Sequence, residues 1–151
     1  MDVNKNLRTI LLVEDDPDDV NLTIRALNKS KIENEIVVAN DGFDALNYLF
    51  GEGKYADRDS SKIPAIILLD LKLPKLDGIE VLKRLRSNEK TKNATVIILT
   101  SSKETEDILT CYKFCANSYI QKPVDFNRFM ETIWIVGTYW LNFNENAPSG
   151  G

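Results

Sequence analysis

The chain has 151 residues, 43% of them hydrophobic, enough for one sizeable core with no room for a second module of ordinary size. A net charge of −4 argues against a broad basic surface for gripping phosphate backbones, so no direct contact with nucleic acid is expected; histidine is absent, which removes Ser-His-Asp and Cys-His catalysis and histidine metal sites. No apolar run approaches the roughly 20 residues of a membrane span and Met1 to Leu7 is polar without a signal-like stretch, so a cytoplasmic protein that does not enter a membrane is expected.

Thr9 to Val13 is an unbroken branched apolar run and reads as a strand buried on both faces. Asp16-Pro17 follows as a helix start, with aspartate capping free amides and proline at the first helical position, and Val20, Ile24 and Leu27 form the apolar stripe of that helix. Glu35 to Ala39 is a weaker strand, and Phe43 to Phe50 a second helix. The segment from Gly51 to Pro64, rich in charge and small residues, is longer than an ordinary connection and reads as a surface insertion. Ile66 to Leu69 is a third strand, Asp77-Gly78 opens a helix with the stripe Ile79, Leu82 and Leu85, and Val96 to Leu99 is a fourth strand. A helix over Thr105 to Cys115 would put Cys111 and Cys115 on one face in a geometry unsuited to a disulfide, which makes them reduced structural cysteines. Ser118 to Gln121 is the fifth strand, and Pro123-Val124-Asp125 leads into a last helix reaching about Asn142.

Strand-helix alternation of this kind builds a parallel sheet with right-handed crossovers and helices on both faces, whose sites form at the carboxyl ends of the strands. At that edge stand Glu14, Asp15 and Asp16 after the first strand, Asp70 after the third, Thr100 and Ser101 after the fourth and Lys122 after the fifth. A single carboxylate at such a place is as well explained as a helix cap. Several apolar strands ending together in acid, hydroxyl and ammonium are harder to explain that way.

The ordered motifs ILLVEDD, ILLDLKLPKLDG, VIILTSS and SYIQKP resemble the response-regulator receiver domains over nearly the whole chain. Spacings of 30 residues from Asp70 to Thr100 and 22 from Thr100 to Lys122 each suit one strand-helix-strand unit. The resemblance implies a CheY-like, flavodoxin-like α/β fold: a doubly wound, five-stranded parallel sheet of order 2-1-3-4-5, in one receiver domain spanning 1–151 with a core at about 8–143 and a flexible tail at about 144–151. It implies that Asp70 is the phosphoacceptor, Thr100 the conserved hydroxyl and Lys122 the conserved lysine. Mg²⁺ would be held by Asp15, Asp70 and the backbone carbonyl of Lys72, with Glu14 acting through water. Tyr119 falls on the switch aromatic that moves with Thr100, and Lys122-Pro123 on a bond that the family suggests is cis. Such a domain turns over no other molecule and catalyses only its own phosphorylation and dephosphorylation.

These residue types suit the task. A carboxylate attacks phosphorus without a general base, but Asp70 must stay ionised beside Glu14 and Asp15, which calls for a cation in the cluster. Lys122 and Thr100 would meet the charge that spreads over the transferred oxygens. Lys72 and Ser102, two residues after Asp70 and Thr100, are expected to influence phosphoryl lifetime. The last helix carries Phe126, Phe129, Ile133, Trp134, Tyr139, Trp140, Leu141 and Phe143, too many for one core-facing stripe. That excess resembles the receivers of phytochrome-type sensor histidine kinases, which implies such a kinase as partner and a homodimer through the last helix and fifth strand. Three other readings compete: a flavin domain, which the acidic EDDPDD loop would repel; an aspartate-nucleophile phosphatase, whose acid or base would fall on Lys72; and a receiver-like interaction module that never takes phosphate.

Overall fold

A computed structural model describes residues 8–147. Met1 to Leu7 and the terminal Pro148 to Gly151 lie outside the described residues. In chain order the elements are β1 (Ile10–Val13), α1 (Pro17–Lys29), β2 (Ile36–Ala39), α2 (Gly42–Phe50), a short 3-10 turn (Gly53–Tyr55), β3 (Ile66–Leu69), α3 (Gly78–Arg86), β4 (Val96–Thr100), α4 (Thr105–Lys113), β5 (Ser118–Gln121), α5 (Phe126–Thr138) and a wide terminal turn (Tyr139–Phe143). The strands form one parallel sheet of order β2-β1-β3-β4-β5, as the resemblance implies.

The sheet is buried on both faces because its three central strands are apolar at every position before the closing Thr100 of β4. Leu11, Val13, Ile67, Leu69, Val96 and Ile98 point to the layer of α2, α3 and α4, and Ile10, Leu12, Ile66, Leu68, Ile97 and Leu99 to the layer of α1 and α5. Register then places the edge residues. Val13 lies beside Leu69, so Glu14 and Asp70 leave the sheet side by side. β4 runs two residues beyond the pairing of Ile98 with Leu69, and Thr100 pairs with Gln121, which sets Lys122 just past it.

Aspartates begin every α-helix but α4. Asp16 accepts from the Asp18 amide, Asp77 from Glu80, Asp125 from Arg128 and Asp41 from Asp44. Gly78 is required by close approach: a Cβ there would stand 2.1 Å from the carbonyl oxygen of Asp70. The entry to α3 is thereby pressed against the end of β3.

Several local expectations change. α4 stops at Lys113, and Cys115 adopts φ 65° while its amide and that of Ala116 close the helix end on Tyr112 and Cys111 carbonyls. The cysteines therefore do not share a helix face: Cys111 is buried, Cys115 is exposed, and both are free. The Lys122-Pro123 bond is trans, since the described residues contain no cis peptide. The segment after α2 is pinned to the body. Tyr55 packs edge-on against Tyr48 at 5.1 Å, and the Arg58 guanidinium lies 3.9 Å over the Tyr48 ring while donating to the Tyr48 and Lys62 carbonyls. Beyond α5, Asn146 accepts from the Thr95 hydroxyl at 3.2 Å, which returns the chain to the start of β4.

Candidate functional site at the carboxyl edge of the sheet

Glu14 and Asp70, at the ends of adjacent strands, are both buried, whereas Asp15 faces solvent. Glu14, Asp15 and Asp70 can each offer an oxygen within 4.8 Å of the others. Into this acidic corner reaches Lys122, whose Nζ donates to Glu14 Oε1 at 2.5 Å, Asp19 Oδ2 at 2.8 Å and Asp70 Oδ2 at 2.9 Å. All three hydrogens of the ammonium are thus matched by carboxylates. The Asp70 Oδ1 accepts from the Lys72 amide at 3.2 Å, and Glu14 Oε2 from the Asp16 amide at 3.2 Å.

Burial and pairing set the charges. For Asp70, burial pushes the carboxyl upward, but the Lys122 hydrogen bond and charge, the Thr100 hydroxyl and the Lys72 amide outweigh it and hold the group below its ordinary value. For Glu14, burial wins, reinforced by the charge of Asp70 against the pull of Lys122, and the carboxyl is pushed up to about 7. Burial pulls Lys122 down, yet hydrogen bonds to Asp19, Glu14 and Asp70 raise it. The acceptor candidate is the acid kept ionised, and its neighbour is the acid that takes up a proton first as pH falls.

Three carboxylates on one ammonium, with Asp15 beside them, leave an excess of negative charge, and Glu14, Asp15 and Asp70 converge as hard oxygen donors, one open to solvent. That donor set fits a divalent cation such as Mg²⁺ or Mn²⁺.

The sequence missed Asp19. It sits three residues past the Asp16 cap, where an acid ordinarily complements the helix dipole. Its signal was helical phase: Asp19, Thr23, Ala26 and Leu27 lie on one stripe, and the last three are buried, so an acid heads the core-facing side of α1.

Thr100 is fully buried and its Oγ1 accepts from the Ser102 amide at 3.3 Å, while Tyr119, half-buried, donates its hydroxyl to the Ser102 carbonyl at 3.0 Å. The Lys72 side chain is exposed. Thr100, Lys122 and Tyr119 therefore lie at the edge that also holds the acids. Farther away, Phe129, Ile133 and Leu141 enter the core, while Phe126, Trp134, Ile135, Tyr139 and Phe143 remain exposed. Phe126, Met130 and Trp134 form a ridge beside α1, lining a groove with Ala26 and Lys29, and Ile135 and Tyr139 share a different face of the helix axis.

A model of the response regulator receiver domain matches residues 10–134. The chain belongs to the response regulator receiver domain family. The receiver is 34% identical over 134 residues to response regulator Rcp1 of Synechocystis sp., covering 89% of each chain. Its fold superimposes on the phosphorylated cyanobacterial phytochrome response regulator RcpA with a TM-score of 0.87 at 36% identity, over 94% of this chain and 99% of that one. The Mn²⁺-bound form of Rcp1 gives a TM-score of 0.86 at 32% identity, over 93% and 99%. These likenesses place the receiver with the phytochrome-type response regulators and agree with a divalent cation at the acidic corner. No helix of the described residues is long and apolar enough to cross a membrane.

Proposed function

We propose that Asp70 accepts a phosphoryl group from the phosphohistidine of a phytochrome-type sensor histidine kinase, in a Mg²⁺-dependent reaction that switches partner binding or dimerisation. The observation that carries this reading is the convergence on Lys122: one ionised aspartate at the end of β3, held by an ammonium and flanked by Glu14 and Asp15. A carboxylate oxygen of Asp70 attacks phosphorus; the new P–O bond forms as the P–N bond breaks, and the imidazole departs with the electron pair. Lys122 and the Thr100 hydroxyl meet the charge gathered on the transferred oxygens. Asp15, Asp70 and the backbone carbonyl of Lys72 would hold Mg²⁺, with Glu14 alongside. When bound, the ion neutralises the carboxylates and the phosphoryl oxygens during transfer.

In this reading the receiver is a cytoplasmic signalling protein with no turnover of other substrates and no direct contact with nucleic acid. Thr100 and Tyr119 report the state of Asp70. The readout is a homodimer formed through α5 and β5, supported by the exposed large side chains of α5 and by the position of β5 at the sheet edge.

The test is intact mass after incubation with a small phosphodonor, with and without Mg²⁺. The expected gain is about 80 Da, one phosphoryl group, seen with Mg²⁺ and absent from Asp70→Asn. A gain that persists in Asp70→Asn overturns the assignment of the acceptor, and one that ignores Mg²⁺ overturns the role of the acidic corner.

A further inference from the structure

Ser102 uses every polar group it has. Its amide donates to Thr100 Oγ1 at 3.3 Å, its hydroxyl donates to Asp107 Oδ2 at 2.6 Å and accepts from the Glu104 amide at 3.3 Å, and its carbonyl accepts from Tyr119 at 3.0 Å. The serine is buried, and Asp107 lies in the first turn of α4. Glu104, at the cap position of α4, makes no side-chain hydrogen bond to the helix, so the pair Ser102 and Asp107 ties the start of that helix to the end of β4.

We propose that Asp107 is a positioning residue for the switch: through Ser102 it holds Thr100 and the β4–α4 connection in the arrangement seen here, and so sets how readily Thr100 moves toward a group on Asp70. This rests on Asp70 being the phosphoacceptor. The Thr100 hydroxyl already faces Asp70; it cannot draw further toward a group there without pulling on the Ser102 amide that it accepts from, and Ser102 cannot shift without stretching its bond to a carboxylate. Because a hydrogen bond to a charged acceptor is stronger than a neutral one, that bond is the stiffest of the four. A contact made only in the resting arrangement lowers the population of the other, and removing it raises apparent affinity for any ligand that selects the other.

The probe is beryllofluoride with Mg²⁺, an analogue of the aspartyl phosphate that does not hydrolyse, so any effect of Ser102 on water attack is excluded. Its half-saturation is titrated on wild type, Asp107→Asn, Ser102→Ala, Ser102→Thr and the Asp107→Asn, Ser102→Ala double variant. Ser102→Ala should bind about tenfold tighter, Asp107→Asn, which keeps an acceptor oxygen but loses its charge, should bind tighter by a smaller factor, Ser102→Thr should match wild type because it keeps the hydroxyl, and the double variant should equal Ser102→Ala alone. Ser102→Ala retains the Asp107 charge, which separates the latch from a simple loss of repulsion. Unchanged or weaker binding by Ser102→Ala, or fully additive effects in the double variant, overturns the latch while leaving Asp70 as acceptor. Failure of wild type to bind the analogue at all, or binding retained by Asp70→Asn, overturns the acceptor reading and the latch with it.

Discussion

The carboxyl edge of the sheet and the outer surface of α5 solve opposite problems. Around Lys122, groups that are costly to bury are buried and matched within the chain: three carboxylates share one ammonium, and backbone amides take further oxygens. On α5 and the turn that follows it, groups that gain most from burial are left out: Trp134, Ile135 and Phe143 are 52%, 53% and 72% exposed. The edge is balanced by its own residues except for surplus negative charge, which asks for a cation. The α5 surface has no such internal balance, and its apolar area asks for another surface.

The largest effect should come from removing the ammonium of Lys122 from the edge. In Lys122→Met three carboxylates lose a partner that is 9% exposed, and the cation-free protein should lose about 3 kcal/mol in urea unfolding, with phosphoryl gain at Asp70 sharply slowed. Excess Mg²⁺ should restore part of the stability, since it can replace the missing charge. Unchanged stability would mean that the edge does not depend on its internal pairing, and the contrast with α5 would collapse.

The α5 surface should behave in reverse. Ile135→Glu and Tyr139→Glu change side chains that are about half exposed, so monomer stability should move by no more than about 0.5 kcal/mol. The same changes should abolish a dimer seen by gel filtration or ultracentrifugation of the phosphorylated protein. If wild type remains monomeric at high concentration with and without phosphorylation, α5 is not the dimer surface.

A smaller effect follows from Glu14. Its folded value of about 7 lies above its ordinary 4.5, so the folded chain holds this proton more tightly than the unfolded one. The resulting stability is fully present below about 4.5 and is lost as pH rises through about 7. Asp70, whose value is lowered, works in the opposite sense: its stabilisation is present above its ordinary 3.8 and is lost only as pH falls below that, outside this window. Between about pH 5 and about pH 8 the Tm of cation-free protein should therefore fall by a few degrees, roughly 2–4 °C per kcal/mol, and Glu14→Gln should flatten the slope. A slope that survives in Glu14→Gln assigns the titration to another group.

The edge was legible in the sequence because parallel strands buried on both faces announce themselves as unbroken apolar runs, and Asp70 and Thr100 stand where two such runs stop, while Lys122 ends the weaker, half-buried β5 and was found through the SYIQKP motif. Asp19 was not, because an acid in a first helical turn has an ordinary explanation in the dipole, and only the phase of Thr23, Ala26 and Leu27 shows which way it faces. The end of α4 was hidden for a related reason: Cys115 takes the left-handed position usually given to glycine, so no residue type marks the stop. For α5 the excess of aromatic residues was visible. Which of them turn outward depended on the packing of α5 against α1, which places Phe129 and Ile133 inward and leaves Trp134 and Ile135 out.

The smallest change joins the two regions. Tyr119 lies in β5, its ring packs against the core, and its hydroxyl ends on the carbonyl of Ser102, within the connection that Thr100 must pull. Tyr119→Phe keeps the ring and removes one neutral hydrogen bond, worth about 1 kcal/mol, so stability and the phosphoryl gain at Asp70 should barely move. What should weaken is the dependence of dimerisation or partner binding on phosphorylation, because the ring loses the bond that ties its position to the β4–α4 connection. The measurement compares the association constant with and without the phosphoryl group in the two proteins. A Tyr119→Phe protein that instead fails to accept phosphate would make Tyr119 part of the transfer chemistry, and the separation between an edge that reacts and a surface that reports would have to be redrawn.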